Sequence, residues 1–241
     1  MGNIVGIIPA RGGSVGVPLK NIKYLNGHPL ISYTIQSAIK SNCLDRIIVS
    51  TDHDDIAAIS KDYGAEVPFR RPSDISEDVD TEFVLQHAIN FLEDKESYKI
   101  DAVVLLQPTS PFRKSSTIEK CVNLYKSSDA DSVVSVHNVE GNRPEWMLSL
   151  DSNNKVIPYN TPFNDNGIPV IKLAARQSFP LMYKQNGVVY VTNRDLLMKK
   201  TLVIGPNAYA VSTDEKEAMD IDTHTDFLIA ESIMGLKNEA L

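Results

Sequence analysis

Short runs of β-branched and other apolar residues recur along this 241-residue chain, with amphipathic segments of helical length between them. The runs are Ile4-Val5-Gly6-Ile7-Ile8-Pro9, Asp45–Ser50, Asp101–Leu106, Asp131–Val136 and Asn186–Val191. Each reads as a strand; the first is short, β-branched and suited to burial, and Asp101–Leu106 is the most convincing central strand. Between them, Pro29–Ile39, Asp54–Tyr63, Thr81–Leu92 and Ser115–Lys126 carry apolar residues at helical spacing, and Gly64 suits a helix C′ position. Shorter strands are expected at Glu66–Phe69 and Leu202–Ile204, a helix near Asp195–Met198 and a last helix over Thr223–Met234. This alternation predicts an α/β fold: a mostly parallel, doubly wound, Rossmann-like sheet with helices on both faces and ligands at the carboxyl ends of its strands. The loops at Arg11, Thr51, Arg71 and Gln107 are expected to open there.

The pattern breaks down over residues 139–184. Pro144, Pro158, Pro162, Pro169 and Pro180, with Asn and Asp between them, exclude a long helix. The segment is either a surface insertion or an arm that packs on a second subunit, and a structureless loop of this length is unusual in a compact domain. The expected organisation is a core of residues 1–138 and 185–241 interrupted by the insertion 139–184.

The first strand runs into Ala10-Arg11-Gly12-Gly13-Ser14-Val15-Gly16-Val17-Pro18-Leu19-Lys20-Asn21. Three glycines within five residues allow positive φ and close approach of a ligand to the amides, and Arg11 and Lys20 add positive charge suited to a polyphosphate. The spacing matches neither G-x-x-x-x-G-K-[ST] nor G-x-G-x-x-G. By itself such a turn is as often a plain tight connection as a binding loop. A second constellation is Asp220-Ile221-Asp222, where alternation in an extended segment turns both carboxylates to one face, suited to a hard ion such as Mg²⁺. The competing role for Asp222 is to cap the final helix. Gln107-Pro108-Thr109-Ser110-Pro111 reads as a helix-entry turn, Arg70-Arg71 as solvated charges and Asn186-Gly187 as a tight turn.

A net charge of -7 leaves no basic face for nucleic acid or an anionic membrane. No apolar run approaches the roughly 18 residues a membrane span needs, and no signal pattern opens the chain. Cys43 and Cys121 lack zinc or redox spacing and are expected as reduced thiols of a cytoplasmic protein. The five histidines show no metal or triad spacing.

The segment Ile8-Pro9-Ala10-Arg11-Gly12-Gly13-Ser14, followed by Gly16 and Lys20-Asn21, resembles the signature loop of the acylneuraminate (CMP-sialic acid or CMP-legionaminic acid) cytidylyltransferases. Val49-Ser50-Thr51-Asp52, Arg71-Pro72, Leu106-Gln107-Pro108-Thr109-Ser110-Pro111, Asn186-Gly187 and Asp220-Ile221-Asp222 match the same family in the same order, over nearly the whole chain. The resemblance implies a nucleotidyltransferase fold, transfer of CMP from CTP to a nonulosonic acid, and a homodimer formed through residues 139–184. It implies nucleotide binding by Ala10, Arg11, Gly12, Gly13, Ser14, Lys20, Asn21 and Arg71, and sugar contacts from Gln107 and Asn186. Arg176 and Gln177 resemble positions that reach the sugar in a partner's site. Asp220 and Asp222 are implied as the Mg²⁺ ligands and, with Arg11 and Lys20, as the catalytic set. Three departures stand out: Val15 where the family commonly has lysine, Lys184 where arginine is frequent, and Thr109 where the ketodeoxyoctulosonate enzymes carry an aspartate. Outside this reading stand a different base or acid specificity, and a nucleotide-sugar binding protein without turnover.

Overall fold

The computed structural model describes residues 2–14, 16–77, 79–139, 141–158, 166 and 180–239. Val15, Arg176 and Gln177 lie outside the described residues, as do residues 159–165 and 167–179 of the segment expected to form the arm. The chain divides into two compact units, one of residues 1–136 with 185–241 and one of residues 137–184.

The strands are β1 Ile4–Pro9, β2 Tyr24–Leu25, β3 His28–Pro29, β4 Arg46–Ser50, β5 Ala102–Leu105, β6 Ser132–Asn138, β7 Leu148–Leu150, β8 Val156–Pro158, β9 Tyr183–Asn193 and β10 Ala208–Ser212. The helices are α1 Leu30–Ser41, α2 Asp54–Asp62, α3 Thr81–Glu96, α4 Ser115–Ser127, α5 Arg194–Lys200 and α6 His224–Glu239. Six strands form one sheet in the order β10-β6-β9-β5-β1-β4. β1 runs parallel to β4 and β5, β10 runs parallel to β6, and β9 runs antiparallel to β5.

Alternation along the central strands distributes the core. In β1, Ile4 and Ile8 pack with Ile31 and Ile35 of α1, Ile56 of α2 and Ile118 of α4. Val5 and Ile7 point the other way, onto Leu85, Ile89 and Leu92 of α3 and Leu197 of α5. Two dry faces therefore explain the unbroken apolar run, each large side chain adding roughly 1.5–3 kcal/mol on burial. The parallel strands β1, β4 and β5 end in loops on one edge of the sheet, at Ala10, Thr51 and Leu106.

Several short elements differ from expectation. Glu66–Phe69 makes only an isolated bridge, between Glu66 and Ile48. Leu202–Ile204 is not a strand; Val203 instead drops into the core beside α5. The edge strand is β10, whose largely exposed Ala-Tyr-Ala-Val-Ser carries no buried-strand pattern. Asn186-Gly187 is no turn but lies within β9, with Gly187 at φ 71°. Cys43 follows α1, Cys121 lies in α4, and both cysteines are free thiols, as expected.

In the unit of residues 137–184, β7 and β8 pair antiparallel around a turn organised by Asp151, whose Oδ1 accepts from the amides of Asn153 and Lys155. No helix among the described residues is long and apolar enough to cross a membrane.

Candidate active site

The loop after β1 takes its shape from close approaches rather than from left-handed glycines. Gly12, Gly13 and Gly16 all keep ordinary φ, and the left-handed residue is Leu19, at φ 49°. A Cβ on Gly12 would meet the His53 ring at 2.8 Å, and one on Gly16 would meet the Asp222 carbonyl oxygen at 2.6 Å. Gly13 faces open space. Gly16 thus lets the loop lie directly against the backbone of the acidic pair.

The loop is braced from β4. The Gly12 amide donates to Asp52 Oδ1 at 2.9 Å, and the Ala10 amide to Ser50 O at 2.9 Å. Ala10 is fully buried in the core, so its side chain and amide are structural, and the Gly12 amide is already engaged. Asn21, 4% exposed, donates through Nδ2 to Arg11 O and closes the loop upon itself. Arg11, Ser14, Gly16, Lys20 and Asn21 remain as walls of a cavity of about 490 Å³.

Arg71 enters the same cavity from the second loop. Its amide donates to Thr51 O, which fixes it at the end of β4. The side chain is 6% exposed, its nearest carboxylate oxygen is Asp52 Oδ1 at 3.9 Å, and Nε and Nη2 meet no acceptor. Burial lowers its pKa, opposed by Asp52 and reinforced by the charge of Arg11. Guanidinium donors in a cavity wall suit an acceptor-rich anion or a base edge. Arg70 points elsewhere, to Asp54 on the surface. Glu77, Val79 and Thr81, with Val84 of α3, add to this wall; nothing in their composition singles them out.

Gln107, Pro108 and Thr109 bring the end of β5 to the cavity. Arg113, 5% exposed, holds this loop: Nη2 donates to Gln107 O, Nη1 to Thr34 Oγ1 of α1 and Nε to Val188 O of β9, each at 2.6 Å. A single arginine after a proline turn carries no sequence signal that it will be buried. Asn186, by contrast, is not among the cavity walls. Its Oδ1 accepts from Ser135 Oγ at 2.7 Å and its Nδ2 donates to Thr213 Oγ1 at 2.7 Å. These bonds tie it to β6 and to the end of β10, so here it braces β9.

Asp220 and Asp222 both line the cavity, with Ile221 between them fully buried. The Ile221 amide donates to Thr109 O, pinning the segment to the β5 loop. Asp222 does not cap α6. Thr223 and Asp226 form a reciprocal capping box in which Asp226 Oδ2 accepts from the amides of Asp222 and Thr223, and the Asp226 amide donates to Thr223 Oγ1. The Asp222 carboxylate instead meets Lys20 Nζ at 3.0 Å. Surrounding protein pushes the Asp220 carboxyl up, Asp222 adds to the rise, and donation from Thr109 opposes it, although the concave site still leaves Asp220 open to water. Two adjacent carboxylates, one of them reluctant to ionise, fit a divalent cation as counter-charge. No cluster of three or more His, Cys, Asp or Glu suited to a metal occurs among the described residues.

The chain matches the cytidylyltransferase family model over residues 5–197. It is 36% identical to a CMP-N,N'-diacetyllegionaminic acid synthase of Legionella pneumophila, over 99% of both chains. It is 33% identical to the synthase of the same name from Campylobacter jejuni, over 99% of this chain and 97% of that one. With an N-acylneuraminate cytidylyltransferase of Escherichia coli it shares 32% identity over 98% of its own length, spanning about half (53%) of that longer protein. Among solved structures, a CMP:2-keto-3-deoxy-manno-octonic acid synthetase complexed with CTP superposes with a TM-score of 0.69 at 15% identity, covering 98% of this chain and 99% of that one. That last likeness bears on the fold.

Proposed function

The chain belongs to the cytidylyltransferase family, among the acylneuraminate and legionaminic acid members, and from that premise we propose that it transfers CMP from CTP to the anomeric hydroxyl of a nonulosonic acid of the sialic or legionaminic type. The anomeric oxygen bonds to the α-phosphorus, the bond from that phosphorus to the bridging oxygen breaks, and the hydroxyl proton and pyrophosphate leave. The observation that carries the reading is the convergence, in one cavity, of Arg11 and Lys20, the unmet donors of Arg71, and the carboxylates of Asp220 and Asp222.

Nucleotidyl transfer needs positioning and charge neutralisation more than covalent participation by the protein. Arg11 and Lys20 hold the triphosphate. Ser14 and Asn21 set the loop, and Gly13 leaves its backbone uncovered for close approach. Arg71 supplies buried donors to the nucleotide, and Gln107 presents an amide to the acid. Asp220 and Asp222 hold Mg²⁺, which when bound offsets charge on the phosphates. Lys20, bridged to Asp222, keeps a cation beside that pair and links the phosphate loop to it.

The homodimer belongs to this reading too. Leu148, Leu150, Val156 and Ile157 of the β7–β8 hairpin are 45–60% exposed, and Leu181 and Tyr183 beyond it are 74% and 52% exposed. So dense an apolar surface on a two-stranded hairpin asks for a partner. Consumption of CTP and two free thiols suit a cytoplasmic setting.

The test is pyrophosphate release with CTP and Mg²⁺ against a panel of nonulosonic acids, with UTP, ATP and GTP as controls and Asp222→Asn alongside. Turnover confined to CTP and one class of acid, and abolished in the variant, is the expected result. Silence across the panel while CTP still raises the melting temperature would replace catalysis with binding.

A further inference from the structure

Gln107 is tied at its backbone, and its side chain lies against a neighbouring strand. Its carbonyl oxygen accepts from Arg113 Nη2 at 2.6 Å and lies 3.4 Å from Thr34 Oγ1. Its side chain lies across β9 at Gly187, where a Cβ would fall 2.2 Å from Gln107 Oε1. Gly187 sits at φ 71°, a conformation that disfavours any other residue, and it leaves bare backbone where the amide rests. The strand carrying Gly187 is tied to the same guanidinium, because Arg113 Nε donates to Val188 O at 2.6 Å. One side chain therefore fixes both the backbone of Gln107 and the surface beneath its amide.

All three acceptors are neutral oxygens, and desolvation draws the guanidinium pKa down to about 9, with Glu217 and Asp220 opposing the drop. An apolar side chain of similar volume avoids that desolvation but leaves two carbonyls and a hydroxyl without their donor. What an apolar residue cannot do is tie α1, the β5 loop and β9 together with directed bonds.

We propose that Arg113 and Gly187 are positioning residues that lock the Gln107 amide in a single pose in the cavity wall, so that the acid is selected by a rigid donor–acceptor pair. The proposal rests on the reading of Gln107 as the contact to the nonulosonic acid. A side chain displaced by about 1 Å from its working position costs up to about a hundredfold in rate, whereas a loose glutamine accommodates several acids with little discrimination.

The experiment is a pair of double-mutant cycles, with Gly187→Ala and Arg113→Met each made in the native chain and in Gln107→Ala, reading KM for the acid, KM for CTP and kcat. In the native background, either variant is expected to raise KM for the acid at least about tenfold and leave KM for CTP within about twofold. In the Gln107→Ala background the same changes should shift KM for the acid by less than about twofold, since the group they position is gone. Additive effects, or a parallel rise in KM for CTP, would overturn the proposal, because a general structural role acts in both backgrounds. Gly187→Ala also carries a backbone cost at positive φ, which the Gln107→Ala background measures separately. Should Arg113→Met fail to fold, the Gly187 cycle decides. A readout independent of turnover separates this from the proposed function. The side-chain amide of Gln107, followed by NMR in the ligand-free protein, is expected to give one ordered signal that becomes mobile in Gly187→Ala. Order lost in Gly187→Ala without turnover on any acid in the native protein overturns the function and leaves the clamp standing, and a Gln107 already mobile in the native chain overturns the clamp.

Discussion

At the scale of single residues, Arg71 is a buried cation in a cavity wall, and its proposed contact to the nucleotide can be tested through stability. Its side chain is buried with Nε and Nη2 unmet, and desolvation pulls its pKa down. Leaving buried donors without acceptors costs about 1–3 kcal/mol, more where the group is charged. Arg71→Met keeps much of the volume and removes that cost. The variant is expected to melt at a higher temperature than the native chain without ligand, by the equivalent of about 1 kcal/mol, and to lose most of the stabilisation that CTP confers. Thermal melts of both proteins, with and without CTP, check it; an unaltered CTP response would remove Arg71 from the nucleotide site. The contrast with Arg113 is instructive, since neither burial was legible in the sequence. Each arginine stands in a polar turn beside proline, the usual place for a solvated charge, and only the strands packed around them decide otherwise.

At the scale of elements, the long-range pattern was legible and the local detail was not. β1 and β5 were readable because burial on both faces leaves apolar residues, many of them β-branched, along the whole run. β10 escaped because an edge strand with exposed side chains need not repeat that pattern, and Leu202–Ile204 misled because one core residue, Val203, suffices to make a loop look like a strand. The glycines of the first loop are accounted for by something other than what their composition suggests: Gly12 and Gly16 lie close to His53 and Asp222, and none is left-handed. Asp222 posed a choice between cap and ligand that spacing cannot resolve, and the start of α6 separates the two roles. Thr223→Ala removes half of the capping box and is expected to cost about 1 kcal/mol of stability while leaving pyrophosphate release nearly unchanged. Asp222→Asn should do the reverse, since its carboxylate is 71% exposed and its salt bridge contributes little to stability. Chemical denaturation and turnover of the two variants together test the division; a Thr223→Ala protein that loses turnover at full stability would return Asp222 to a capping role.

At the scale of the whole molecule, a chain of net charge -7 must recognise two anionic substrates. Long-range attraction is therefore unavailable, and binding falls to cations concentrated in one cavity, Arg11, Lys20 and Arg71, at distances where screening is weak. The second demand at this scale is cover for the hairpin of residues 148–158. Leu150 and Val156 face each other across the β7–β8 pair and are 60% and 45% exposed, so replacing both by aspartate leaves the buried core untouched. Stable interfaces bury on the order of 1,200–2,000 Å² and tolerate unpaired charge poorly at their centre. Light scattering is expected to show a native mass of twice the chain, falling to that of a single chain in the double variant. The cavity walls belong to the unit of residues 1–136 and 185–241, so the monomeric variant should still gain thermal stability from CTP. Turnover should fall if Arg176 and Gln177 reach the acid held by the other subunit, and KM for the acid should rise more than KM for CTP. A double variant with native mass would remove the hairpin from the interface, and a monomer with full turnover would show that each chain holds a complete site.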